Sequence, residues 1–107
     1  MKAKEKFSPI RKGLLEFLIL RIIAANKVYA ADILSRLAKT EFATGEGTLY
    51  PLLSRMRRDG LLEYEWVESE AGPPRKYYQL TEQGRQHLEE LDTYWKQINE
   101  TIIQVGK

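Results

Sequence analysis

The stretch GTLYPLLSRM, residues 47–56, decides how this chain is read. At 100° per residue, Leu49, Leu52, Leu53 and Met56 fall on one stripe with the i, i+3, i+4, i+7 spacing of an amphipathic helix. Pro51, Ser54 and Arg58 point the opposite way, with Thr48 and Arg55 beside them. Such a helix docks by its apolar face. It presents hydroxyl and guanidinium groups, which are what a helix needs to read the major groove of DNA. Taken alone, the pattern fits an ordinary solvated surface helix equally well, so its neighbours carry the decision.

Pro51 lacks an amide donor and suits only the first turn, which places the helix start close to residues 45–48. Asp59-Gly60 ends it, with glycine available for a left-handed C-terminal conformation. A turn over residues 40–45 separates it from a short upstream helix, residues 30–39, whose inward face is Ile33, Leu34 and Leu37. Further upstream, Ser8 is the expected N-cap and Pro9 the first residue of a helix running to about Asn26. In that helix Leu14, Leu15, Leu18, Ile19, Ile22 and Ile23 cover a wide arc, which Phe17 and Leu20 extend. One small domain hardly supplies that many buried sides, so part of this helix is expected to meet a second subunit.

Beyond Gly60 the period changes to two. Leu62, Tyr64 and Trp66 alternate with Glu63, Glu65 and Val67, and residues 75–80 form a second aromatic-rich run. Residues 69–74, containing Gly72-Pro73-Pro74, read as a hairpin tip of about six residues. Thr81 can N-cap a last helix in which Leu88, Leu91, Trp95, Ile98, Ile102 and Val105 recur at heptad spacing. The seam is too short for an independent coiled coil and needs a further surface to lean on. The expected fold class is therefore α+β, mainly α. It is a winged helix-turn-helix of three helices and a β-hairpin wing over residues 1–80, followed by a C-terminal dimerisation helix over 81–107.

Composition narrows the function. With 43% hydrophobic and 30% charged residues, the chain fits an ordinary globular protein. It has no cysteine and one histidine, His87, so neither a metal site nor a disulfide is expected, and no cofactor motif is visible. An enzyme lacks support, because no nucleophile–base pair and no phosphate-cradling glycine loop is present. The basic residues 1–6 do not lead into a signal peptide, and the apolar run 14–25 is short of the roughly 20 residues that span a bilayer. A cytoplasmic location without membrane partners is the expectation. The net charge of +2 hides a polarity. Residues 1–60 hold twelve Lys and Arg against six Asp and Glu, whereas residues 61–107 hold five against nine. The basic potential thus travels with the recognition-like helix, as suits a polyanion partner.

The segments GEGTLYPLLSRMRRDGLLEYEW and GPPRKYYQLTEQG, in this register, resemble the PadR family of bacterial transcriptional regulators. The likeness covers about residues 10–85. The single C-terminal helix is similar to the compact subgroup, which includes multidrug-sensing members. The resemblance implies a homodimeric repressor on an inverted repeat of double-stranded DNA. It implies DNA contacts from Thr48, Tyr50, Ser54 and Arg55 on the third helix and from Arg75 and Lys76 on the wing. Dimer contacts would come from the first and last helices, at Leu14, Phe17, Leu18, Leu88, Leu91, Trp95, Ile98 and Ile102. Trp95 matches a tryptophan that, in multidrug-sensing members, stacks on flat aromatic ligands between subunits, which makes a planar cationic or phenolic effector an expectation. One departure is Ala30-Ala31, where many members carry Gly-Tyr.

Several assignments stay open on sequence grounds. Arg55, Arg57 and Arg58 either read guanine or sit on phosphate; phosphate is favoured for at least two, and Arg57 lies closer to the apolar side. Tyr50 is either a DNA contact or a strut for the second helix. Trp95 is either interface core or an effector platform, and one residue can be both. Glu63, Glu65, Glu68 and Glu70 should project away from DNA or pair with arginines. The competing function is a winged-helix protein–protein adaptor that does not bind DNA.

Overall fold

The computed structural model describes residues 3–107. The reading of residues 1–6 as no leader therefore starts outside the described residues. Eight elements follow in chain order: α1 (Ala3–Lys6), α2 (Ser8–Ala25), β1 (Val28–Tyr29), α3 (Ala30–Ala38), α4 (Glu46–Arg58), β2 (Leu62–Ser69), β3 (Gly72–Leu80) and α5 (Glu82–Val105). The fold is mainly helical, with one antiparallel sheet in the order β1-β3-β2.

The apolar stripes named by the sequence close on one core. Ile19 and Leu20 of α2, Ile33 of α3, and Leu49, Leu53 and Met56 of α4 are fully enclosed. Leu62, Tyr78 and Leu80 complete the core from the sheet. Burial holds the Tyr78 phenol above the ordinary tyrosine value of 10.0, with Tyr50 and Tyr64 adding to the effect and Arg57 opposing it. On α2 the surplus is real: Leu14, Phe17, Leu18 and Ile22 are only half-buried.

Three local expectations change. Ser8 is not the N-cap. Phe7 holds that position, without a side-chain cap bond, and Ser8 and Pro9 are the first two helical residues. The chain arrives from the turn of α1, so Ser8 is already helical, and the amide that Pro9 lacks would have no helical acceptor there. In α4 the start at Glu46 agrees with expectation, with Gly45 as N-cap. Pro51, however, is the sixth helical residue and leaves the exposed Gly47 carbonyl without its helical donor. Finally, the hairpin tip is two residues, Glu70 and Ala71, and not six. Pro73 and Pro74 lie inside β3. They fit because β1 reaches only Tyr77 and Tyr78, leaving that side of β3 open, and because the register shifts between Val67 and Ser69. Strand β1 itself, two residues long, is too short to show a period.

One junction fixes the long helix to the rest. Helix α4 ends in a Schellman motif: Leu61 N–H donates to Met56 O at 3.0 Å and Gly60 N–H to Arg57 O at 3.0 Å, with Gly60 at φ 81°. Thr81 then grips this turn. Its amide donates to Leu61 O at 3.1 Å, and its hydroxyl donates to Gly60 O at 2.6 Å while accepting Gly84 N–H at 2.9 Å. Gly84 is buried against the same turn. A Cβ on it would sit 2.1 Å from Leu61 O, so only glycine allows the approach. Beyond this anchor, Leu88 and Leu91 pack on the core, and Asp92 accepts a hydrogen bond from Arg21 of α2. The outer half of α5 leaves the body, with Ile102 61% and Val105 76% exposed.

Gly84→Ala tests this junction. Alanine is the better helix former by about 1 kcal/mol, yet the clash should destabilise the chain by about 1–3 kcal/mol. A chemical-denaturation midpoint equal to or above that of the parent would refute the close packing.

Candidate nucleic-acid interface

Because α4 buries Leu49, Leu53 and Met56, its opposite side is turned outward. Thr48, Tyr50, Pro51, Ser54, Arg55, Arg57 and Arg58 are all exposed. The three arginines diverge. Arg55 reaches back to α2, where its Nη2 donates to Glu16 Oε2 at 2.8 Å. Arg57 turns towards the wing and places its guanidinium 4.9 Å from the Tyr64 ring centre. Arg58 and Ser54 line the shallow space between α4 and the sheet, with Lys76 opposite. The Arg55–Glu16 pair is half-exposed on the arginine side, 52%, and is worth little to stability. It does direct Arg55 away from the wing.

The sheet register explains the wing. Tyr64 faces Tyr78 and Trp66 faces Lys76 across the β2–β3 ladder, on the side turned towards α4. Exposure rises along this row, from buried Leu62 through half-buried Tyr64 to Trp66, which is 61% exposed. The Lys76 ammonium lies over both rings, 4.6 Å from Tyr64 and 5.5 Å from Trp66. Arg75 alternates to the other face and stacks its guanidinium 4.1 Å from the ring centre of Tyr29, itself 4.7 Å from Tyr77. Cation–aromatic contacts of this kind are worth about 0.5–1 kcal/mol at exposed sites. They hold two flexible cations in place. Glu63 and Glu65 share the Arg75 face by alternation, where Glu63 accepts from Gln79 at 2.7 Å and Glu65 from Lys27 at 3.4 Å. Their partners are thus an amide and a lysine, not arginines. Glu68 and Glu70 stay exposed near the tip.

Between α3, α4 and the wing lies a groove of about 320 Å³, with Tyr29, Ala31, Tyr50, Trp66, Arg75 and Lys76 on its walls. Tyr50 faces this groove and is 46% exposed. Of the Ala30-Ala31 pair, Ala30 is buried in the core while Ala31 is at the groove. Among the described residues no carboxylate lines either of these two grooves, whereas Arg57, Arg58, Arg75 and Lys76 all border one or the other. Sequence reasoning missed Glu16 and Tyr29 as partners of the basic side chains, and Trp66 as part of the surface. Alternation put Trp66 on the face of Tyr64, but its exposure follows only from the cross-strand register.

The second candidate region shares no lining residue with this one. Trp95, 37% exposed, lines a groove of about 570 Å³ between α2, α3 and α5. Phe17, Leu18, Ile22, Leu37 and Phe42 supply its apolar walls, and Arg21, Arg36, Lys96 and Asp92 its polar groups. Of the other seam residues, Leu88, Leu91 and Ile98 are half-buried and Ile102 is exposed. Among the described residues no group of three or more His, Cys, Asp or Glu side chains converges, and no helix is long and apolar enough to cross a membrane.

Comparison with known proteins agrees with this geometry. The transcriptional regulator PadR-like family matches residues 19–90. A PadR-like transcription factor from Bacteroides fragilis shares 48% identity and a TM-score of 0.83, with 94% of this chain and 98% of that one covered. A PadR-like transcriptional regulator from Bacillus cereus shares 39% identity and a TM-score of 0.78, over 88% and 92% of the two chains. A transcriptional regulator of Mycobacterium tuberculosis is 38% identical over 72 residues, 67% of this chain and 66% of its own length. The chain belongs to the PadR-like family of transcriptional regulators, which are non-enzymatic DNA-binding proteins.

Proposed function

We propose that this chain is a cytoplasmic repressor that binds an inverted repeat of double-stranded DNA as a homodimer. Residues 1–80 form the DNA-binding unit and α5 the dimerisation helix. The observation that carries the reading is the set of four cations, Arg57, Arg58, Arg75 and Lys76, bordering two acid-free grooves between α4 and the wing. In this reading α4 enters the major groove with Thr48, Tyr50, Ser54 and Arg58 leading. Arg75 and Lys76 hold flanking phosphates. Arg55 is drawn towards Glu16 and takes a phosphate nearer α2, or orients the helix, more readily than it reads a base.

The test is anisotropy of labelled duplexes selected by the protein from a random pool, across a salt series. Arg58→Ala should weaken binding by about 1–3 kcal/mol, and Arg55→Ala by less. Arg75→Ala and Lys76→Ala should weaken all sequences alike and each reduce the salt slope by about 1. Duplex binding that ignores salt, or that fails altogether, would transfer the reading to a protein–protein adaptor.

The dimer reading rests on the exposed seam of α5 and the half-buried surplus of α2. Ile98→Asp combined with Ile102→Asp should give a monomer in sedimentation with its far-ultraviolet circular dichroism intact. A dimer that survives both charges would place the interface elsewhere.

An effector at Trp95 rests on the resemblance and on the apolar groove that this indole lines. Charge there favours an anionic or phenolic ring over the cationic one expected from the resemblance: Arg21 and Asp92 pair with each other, which leaves Arg36 and Lys96 bordering the groove. A planar aromatic carboxylate should quench the Trp95 part of the emission, taken as the difference between the parent chain and Trp95→Phe, and should lower duplex affinity. By linkage, duplex must weaken the ligand by the same factor. Absence of quenching across aromatic acids, phenols and aromatic cations would leave a repressor controlled by its own abundance.

A further inference from the structure

We infer that Trp66 is a DNA-contacting residue whose indole packs on the deoxyribose face of the backbone strand lying in the groove between α4 and the wing. The inference rests on the DNA-binding reading above and adds to it a residue and a type of contact. Trp66 is 61% exposed, although burying a large side chain is worth about 1.5–3 kcal/mol. Its place in the ladder is beyond the core, opposite Lys76, and it lines the groove together with Tyr50, which is 46% exposed. Two exposed aromatic rings, Tyr50 and Trp66, therefore border one groove with Tyr29 and Tyr78 deeper in its walls, and with Arg75 and Lys76 beside them and no carboxylate among its described lining residues.

The occupant follows from this combination. A purely apolar partner would leave Arg75 and Lys76 without a countercharge. A simple polyanion would leave the indole unused. A nucleic-acid backbone alternates anionic phosphate with an apolar sugar face, and it matches both. The cations are preset for it, since Lys76 already lies over Trp66 and Arg75 over Tyr29. Ala31 contributes only a methyl group to the groove, so space remains beside the rings. A sugar contact carries no base information, so Trp66 contributes affinity and register rather than sequence choice.

Trp66 and Trp95 are the two tryptophans of the chain. The Trp66 emission is thus the difference between the parent and Trp66→Phe. The experiment titrates both proteins with a labelled, selected duplex and reads duplex anisotropy and tryptophan emission together. The expected result is a change in the difference spectrum that saturates with the anisotropy. Trp66→Ala should bind about tenfold more weakly, as the loss of part of the indole's apolar burial, with an unchanged sequence preference and unchanged circular dichroism, and Trp66→Phe should recover most of the loss. Duplex binding with a silent difference spectrum and full-affinity Trp66→Ala overturns the Trp66 contact while leaving the DNA-binding reading intact. An altered sequence preference, or equal affinity for the single strand, overturns the sugar contact in favour of base readout or base stacking. Failure of the parent chain to shift the anisotropy removes both readings. Should Trp66→Ala lose its fold, the emission change in the folded parent decides.

Discussion

The grip of Thr81 and Gly84 on the Gly60–Leu61 turn is the constraint on which the molecule depends. Three elements of different purpose meet there: the exit of α4, the first residue of the wing and the first turn of α5. The two carbonyls of the turn accept from Thr81, one from its hydroxyl and the other from its amide, and the hydroxyl in turn caps α5. Each bond is worth only about 1 kcal/mol net. Their arrangement matters more than their sum. The missing Cβ of Gly84 lets the helix backbone touch the turn, which fixes the direction in which α5 departs relative to α4. The start of α5 is thus joined to the end of α4 by direct backbone and hydroxyl contacts.

A second device recurs around the presented surface. Arg57, Arg75 and Lys76 each lie over a tyrosine ring, Lys76 over Trp66 as well, and Arg55 lies against Glu16. Long basic side chains lose rotamer freedom when they bind, at a cost of up to about 2 kcal/mol each. Resting them on aromatic faces takes part of that cost before any partner arrives, without neutralising the charge as a carboxylate would. Arg55 is the exception. Its carboxylate partner lies on α2, so its charge is paired within the chain while those of Arg57, Arg75 and Lys76 rest on aromatic rings.

The sequence by itself determined the identity of the longer elements, α2 to α5 with β2 and β3, and the polarity of α4, but not the short α1 and β1. Leu49, Leu53 and Met56 recur at a spacing that has one folded meaning, and Asp59-Gly60 and Thr81 are chemical punctuation with local causes. The basic character of the first sixty residues and the apolar surplus of the first helix were equally legible, because both are sums over the chain. Tertiary structure decided everything that depended on two distant segments meeting. The six-residue hairpin tip became two residues because the register of β3, with its open side beyond β1, makes room for Pro73 and Pro74. Ser8 lost its capping role because α1 precedes it. Arg55, Arg57 and Arg58, near neighbours in sequence, separated because Glu16 and Tyr64 flank α4 on opposite sides. Trp66 was written in the chain as one aromatic among several; only the cross-strand pairing with Lys76 placed it beyond the core and beside α4. Local patterns follow from bonds and spacing within a few residues, whereas partners and exposure are properties of packing, which no single segment contains.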